Sequence, residues 1–145
     1  MDYSFIVTNE KITIPDNVIF FQVRDLITFP LDIDGFEIEF FIEEFENNQD
    51  DNLILNLLRK INLIDKNFIV GHSSDFSGVT MEEYQAGFKN GKLIPETVYL
   101  NDSEQYKSKY DKAFSIMNYN PKFVRKFTNF ITAQIEFDRD RKNLK

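Results

Sequence analysis

The sequence predicts an α+β fold in which a mainly antiparallel sheet from the N-terminal half packs against three or four helices, mostly C-terminal. Two observations favour this class over an alternating parallel α/β sheet. Short runs of β-branched and aromatic residues cluster before residue 46, and after residue 50 the apolar residues recur at the three- and four-residue spacing of helices. The chain has 145 residues, the size of one ordinary domain, so residues 1–145 are predicted to form a single domain.

Strands are predicted from short apolar runs that are bounded by turn-forming residues, such as Asn9-Glu10 and Pro15-Asp16-Asn17. The predicted strands cover residues 4–8, 11–14, 18–23, 67–71 and 93–100. The N-terminal third is therefore expected to be sheet.

A hairpin is predicted over residues 29–40, turning at Asp34-Gly35, a pair suited to the positive φ angles of a two-residue turn. If Ile33 pairs with Phe36, six apolar side chains share one face. These are Phe29, Leu31, Ile33, Phe36, Ile38 and Phe40. Beyond Phe40 the alternation fails, and a bulge or a helical turn is expected there.

Four helices are predicted from capping residues followed by apolar residues at helical spacing. They begin at Asp50 or Asp51, at Thr80, at Asp102 and at Asn120-Pro121. The second depends on the capping-box pattern of residues 80–83, and it is expected to end near Gly87 or Gly91.

The composition excludes several classes of protein. The chain has no Cys, which excludes disulfide scaffolds and thiolate metal sites, and its one His, His72, is too few for two-His metal motifs. The net charge of −7 disfavours binding to nucleic acid. No apolar run approaches the roughly 20 residues that span a bilayer, and the N-terminus lacks the basic start of a secretory signal. We therefore expect a cytoplasmic protein that binds neither nucleic acid nor membranes.

Acidic residues are concentrated in the first part of the chain. Residues 1–58 contain 13 Asp and Glu and two basic residues, for a net charge of −11, whereas residues 59–145 carry +4. Between Arg24 and Arg59 there is no Lys or Arg, and ten carboxylates fall in that gap. This acidic segment is the strongest non-random feature of the sequence.

The acidic segment has three interpretations: a solvated sheet face neutralised by basic C-terminal helices, a docking surface for a cationic partner, or a metal site. The predicted hairpin places Asp32 opposite Glu37, and like charges facing each other across a strand pair cost roughly 0.2–1 kcal/mol. Because a Lys would be more stable there, this pairing favours the docking surface. The predicted partner-binding residues are Asp32, Asp34, Glu37, Glu39, Glu43, Glu44 and Glu46.

Asp32-Ile-Asp34-Gly35 resembles the start of a calcium loop, but the later positions do not match. An EF-hand loop needs an oxygen ligand at position 5 and Gly at position 6, where this chain has Phe36 and Glu37. We therefore predict no bound metal and no cofactor.

Residues Gly71–Gly78 are predicted to form a polar loop, and they support the alternative function, a small hydrolase or ligand-binding domain centred on this loop. His72 would act as the base, oriented by Asp75. The candidate nucleophiles are Ser73, Ser74 and Ser77. No G-x-S-x-G elbow or P-loop is present, and a turn whose Ser and Asp side chains cap backbone groups explains the same residues.

Taken together, the acidic segment and the absence of a catalytic motif resemble the small immunity proteins that bacteria make against their own polymorphic or contact-dependent toxins. The resemblance is one of general character and involves no shared motif. It implies a stoichiometric inhibitor, not an enzyme, that binds and neutralises a basic protein partner such as a nuclease-type toxin domain.

Overall fold

A six-stranded antiparallel sheet forms the centre of the protein. The computed structural model describes residues 2–45, 52–76, 79–101 and 110–119. The strands are β1 (Asp2–Thr8), β2 (Phe21–Val23), β3 (Leu26–Leu31), β4 (Phe68–Phe76), β5 (Val79–Lys89) and β6 (Lys92–Asn101). The helices in this part of the chain are α1 (Gly35–Glu44), α2 (Leu53–Lys60) and α3 (Tyr110–Ile116).

The α+β class and the antiparallel sheet are confirmed. The prediction that the helices are mostly C-terminal is wrong, because α1 and α2 lie in the first half of the chain. Three of the strands in the described residues, β4 to β6, lie beyond residue 60, so the sheet does not come from the N-terminal half alone.

The strand order in the sheet is β2-β3-β1-β4-β5-β6, which places β1 in the interior. Ser4 of β1 lies opposite Leu31 on one side and opposite His72 on the other. Because side chains alternate along a strand, β1 supplies Ile6 to one face of the sheet and Phe5 and Val7 to the other.

The face that carries Ile6 packs against α1 and α2 through the larger of two apolar cores. Four phenylalanines form its centre. The rings of Phe68 and Phe88 stack with centroids 4.7 Å apart, and Phe45 lies 4.6 Å from Phe88. Phe41 of α1 completes the group. These ring contacts fix the position of α1 on the sheet.

The opposite face packs against α3 through Phe5, Val7, Leu26 and Ile69. Phe5 lies over Gly71 of the neighbouring strand, where an added Cβ would come within 2.6 Å of the Phe5 ring. The absence of a side chain at Gly71 therefore lets the end of this ring approach β4 closely.

The predicted hairpin over residues 29–40 is wrong in its second half. Leu31 ends β3, and α1 begins at Gly35. Asp34 is the N-cap of this helix, and its Oδ1 accepts a hydrogen bond of 2.9 Å from the backbone N–H of Glu37. Asp suits this position as well as it suits a turn, because its carboxylate satisfies a backbone donor that no helical carbonyl reaches.

The helix predicted to start at Thr80 is also wrong, since residues 79–89 form β5. Asn90 and Gly91 connect β5 to β6 with φ angles of 53° and 76°, the conformation of a tight hairpin turn. The N–H of Gly91 donates to the carbonyl of Lys66, which holds the turn against the loop that follows α2.

The other elements agree with the sequence in part. Residues 4–8 are confirmed within β1 and 93–100 within β6. Of the predicted strand 67–71, residues 68–71 lie in β4, and of 18–23 only residues 21–23 form a strand, β2, whereas 11–14 do not form one. The first predicted helix is confirmed as α2, capped by Asn52.

Two further predicted helices lie partly or wholly outside the described residues. The helix from Asp102 is confirmed over Tyr110–Ile116, and residues 102–109 lie outside the described part. The helix from Asn120 lies outside it entirely. None of the described helices is long and apolar enough to span a bilayer.

Candidate protein-binding surface

Most of the predicted partner-binding carboxylates lie on or next to one exposed helix face. Ile38, Phe41 and Ile42 of α1 are buried against the sheet. At 3.6 residues per turn, this spacing directs the intervening residues outward. We name the outward-facing set the α1 surface; it comprises Asp32, Asp34, Phe36, Glu37, Glu39, Phe40, Glu43 and Glu44.

The carboxylates of the α1 surface differ in exposure. Asp32, Asp34, Glu37 and Glu43 are exposed, and Glu39 and Glu44 are half-buried. Glu46 lies outside the described residues.

The charges of α1 are unbalanced within the helix. Glu37 lies in the first turn, where the helix dipole favours a negative charge. Glu43 and Glu44 lie near the C-terminal end, where the dipole disfavours one, and the last turn contains no basic residue. Glu39 and Glu43 are also four residues apart, so their like charges are neighbours on the helix. The charge of Glu37 therefore stabilises the helix, whereas the charges of Glu39, Glu43 and Glu44 destabilise it.

Two exposed aromatic residues are the part of the site that the sequence interpretation missed. Phe36 is 74% exposed and Phe40 is 49% exposed, although both were predicted to be buried. They lie one turn apart on the α1 surface. The signal that identifies them is the helical spacing of Ile38, Phe41 and Ile42, which leaves Phe36 and Phe40 on the opposite side.

The proposed cross-strand pair of Asp32 and Glu37 does not exist. Asp32 lies in the connection between β3 and α1, and Glu37 lies inside the helix. Like-charge repulsion between Asp32 and Glu37 across a hairpin therefore does not occur in this fold.

The loop predicted at Gly71–Gly78 is a strand through Phe76, and Ser77 and Gly78 lie outside the described residues. His72 is 1% exposed, and its Nδ1 lies 2.6 Å from the hydroxyl oxygen of Ser4. Ser73, the next residue along β4, is also buried but belongs to the opposite face of the sheet. His72 and Ser73 therefore cannot act together as a base and a nucleophile.

The roles of donor and acceptor in the contact between His72 and Ser4 depend on which imidazole nitrogen carries a proton. The Ser4 hydroxyl donates its only hydrogen to the carbonyl of Ile33, at 2.9 Å. The Nδ1–H of His72 must then donate to the Ser4 oxygen. This chain of hydrogen bonds joins β4 to β1 and then to the connection that leads into α1, which is a structural role.

A second group of buried polar side chains lies on the α3 face of β5. Glu83 and Gln85 are both fully buried, and the Gln85 side-chain N–H donates to Glu83 over 3.3 Å. Within the described part of the chain, no group of three or more His, Asp or Glu side chains is arranged to hold a metal ion.

Comparison with protein-family models finds no match to this chain, and comparisons with curated proteins and with solved structures find none either.

Proposed function

We propose that the protein is a stoichiometric inhibitor, an immunity protein that binds and neutralises a basic toxin domain of the nuclease type in the cytoplasm of the cell that makes it. The observation that carries this proposal is the exposed acidic face of α1, in a segment with no Lys or Arg between Arg24 and Arg59. The carboxylates are held on a rigid helix that is packed on the sheet through Phe41 and Phe45.

A basic partner relieves repulsion within this surface as well as adding attraction. Glu39, Glu43 and Glu44 oppose one another or the helix dipole in the free protein. A cationic partner placed against them removes that opposition. Long-range attraction of this kind raises association rates and excludes acidic partners.

The test begins with capture of a partner from lysate of the host cell, its identification, and its purification as a single protein. Association kinetics are then measured for the wild type and for the triple variant Glu37→Lys, Glu39→Lys and Glu43→Lys. We expect fast association that weakens steeply with salt, because the screening length falls from about 10 Å at 0.1 M to about 3 Å at 1 M ionic strength. The triple variant should associate much more slowly.

A matched control changes the net charge equally at other exposed positions, namely Asp16→Lys, Asp65→Lys and Glu96→Lys. The control should slow association far less than the triple variant does. The functional measurement is growth of cells that express the captured partner together with either variant. Equal binding at both salt concentrations and by all variants would contradict the proposal.

A further inference from the structure

We propose that Phe36 and Phe40 form the apolar anchor of the α1 surface, and that the surface they anchor fits an amphipathic basic helix presented by the partner. This inference rests on the proposed function and specifies the partner of the same site. It starts from the two exposed large apolar residues of α1, which form a pair one helical turn apart. Large aromatic side chains that become buried on binding supply a disproportionate share of affinity.

The arrangement around this pair indicates what it binds. With about 100° between successive residues, Phe36 and Phe40 form a narrow stripe along the centre of the exposed face. Glu37 and Glu44 flank the stripe on one side. Glu39 and Glu43 flank it on the other side.

A helix with an apolar stripe between two rows of acidic residues is complementary to a helix with an apolar stripe between two rows of Lys or Arg. Apolar seams flanked by opposite charges pair helices in this manner. A second copy of the same face is a poor occupant, since both of its flanking rows are acidic and would face acidic rows. The charge pattern therefore favours a different protein over self-association.

The experiment uses the full-length protein and a labelled synthetic peptide of about 21 residues, with Leu at the a and d positions and Lys at e and g of three heptads. Binding is measured by fluorescence anisotropy. We expect this Leu/Lys peptide to bind the wild type. A peptide with Glu in place of Lys, and one with Ser in place of Leu, should each bind at least about tenfold more weakly.

The decisive variant is Phe36→Ser with Phe40→Ser, which should fold normally because both side chains are exposed in the wild type. It should lower the affinity for the Leu/Lys peptide at least about tenfold. The matched control is Ile116→Ser, an exposed apolar residue 40% accessible on α3 at the opposite face of the sheet. That control should retain wild-type affinity.

The outcomes test the role of Phe36 and Phe40 separately from the role of the acidic residues. If Glu37→Lys with Glu43→Lys abolishes peptide binding but the phenylalanine variant does not weaken it, the anchor is overturned and the proposed function stands. If only the phenylalanine variant weakens binding, the anchor stands and the electrostatic basis of the proposed function fails. No binding of the Leu/Lys peptide, or a dimer in sedimentation equilibrium that the phenylalanine variant dissociates, overturns the inference.

Discussion

Ser4 and His72 show how a buried polar pair can be structural even though its residue types are those of a catalytic site. Ser4 accepts from His72 and donates to Ile33, so its buried hydroxyl group is used for two hydrogen bonds within the protein. Ser4 and His72 are 0% and 1% exposed on two central strands of the sheet. The pair stabilises the junction between the sheet and α1.

Replacing Ser4 with Ala should lower the free energy of unfolding by about 1–3 kcal/mol, because it removes both contacts and leaves the Nδ1 of the buried His72 without this hydrogen bond. His72→Ala should also destabilise the fold while leaving partner binding by the folded protein within a few-fold of wild type. Urea denaturation and binding kinetics check the two statements. Ser115→Ala, at an exposed position of α3, is the control. Loss of a hydrolytic activity in His72→Ala would contradict this assignment.

Because of Tyr119, the free energy of unfolding should decrease as the pH rises in the alkaline range. Burial raises the pKa of its hydroxyl from 10.0 to about 12, against the smaller lowering effect of hydrogen bonds with Thr8 and Asn9. The unfolded chain then loses this proton at a lower pH than the folded protein does. The stabilisation is complete below pH 10 and is lost as the pH rises through about 12.

The loss attributable to Tyr119 should total about 2–3 kcal/mol. Urea denaturation at several pH values measures it for the wild type and for Tyr119→Phe. The variant should show a shallower decline between these two pH values. An identical decline in both proteins would show that other groups cause the loss.

At the scale of elements, the two ends of α1 should respond oppositely to the same change of charge. Glu37→Lys removes a favourable interaction with the dipole at the first turn, and we expect it to lower stability by about 0.3–1 kcal/mol. Glu43→Lys replaces an unfavourable charge near the last turn and relieves repulsion from Glu39, so it should raise stability by a similar amount. Thermal unfolding of both single variants is the measurement. Equal shifts in the same direction would contradict this description of α1.

The β5–β6 hairpin depends on the backbone conformation of its turn. Gly91 has φ of 76°, and a Cβ there would lie 2.6 Å from the carbonyl oxygen of Ile64. Gly91→Ala should therefore destabilise the protein by about 1–3 kcal/mol. Asn90→Gly preserves the positive φ and should be nearly neutral by comparison. Chemical denaturation measures the free energy of unfolding of the two variants. A loss in Gly91→Ala alone would show that the turn conformation is the cause, and an equal loss in both would show that the turn tolerates no substitution.

The two misassigned elements show what local patterns left undecided. Asp34-Gly35 satisfies both a tight turn and a helix N-cap, and residues 36–40 fit a strand as well as a helix. Only the buried set that continues through Phe41 and Ile42 selects the helix. In β5, residues 80–83 match a capping box, but they form a strand that ends at the positive-φ turn of Asn90-Gly91.

The candidate site was predictable in its charge and not in its apolar part. The acidic segment is evident from the residue types alone, and four of its predicted carboxylates are exposed: Asp32, Asp34, Glu37 and Glu43. The exposure of Phe36 and Phe40 depends on which face of the segment is buried, and the strand interpretation assigned both to the core. If the segment is a helix with 3.6 residues per turn and not a strand with a side-chain period of two, both phenylalanines lie on the surface.

At the scale of the whole molecule, two apolar cores share a single strand. Phe5 and Ile6 are adjacent and fully buried, yet they belong to cores on opposite faces of the sheet. Phe5→Ala should cost about 3–5 kcal/mol and Ile6→Ala about 2–5 kcal/mol. Because both cores depend on β1, each variant should still unfold in one transition, coincident by far-UV circular dichroism and tyrosine fluorescence. Separate transitions in either variant would show that the two cores unfold independently.

The interior position of β1 also affects how the protein is made on the ribosome. β1 is synthesised before both of its neighbours, and β4 follows only after β2, β3, α1 and α2. Until residues 68–76 leave the exit tunnel, one side of β1 retains unpaired backbone donors and acceptors, and its apolar residues lack part of both cores. A partly synthesised chain therefore exposes a strand with β-pairing capacity, the kind of segment that chaperones shield and that aggregates when translation stalls. Slow codons before β4 would prolong this exposure, whereas slow codons after β4 would not.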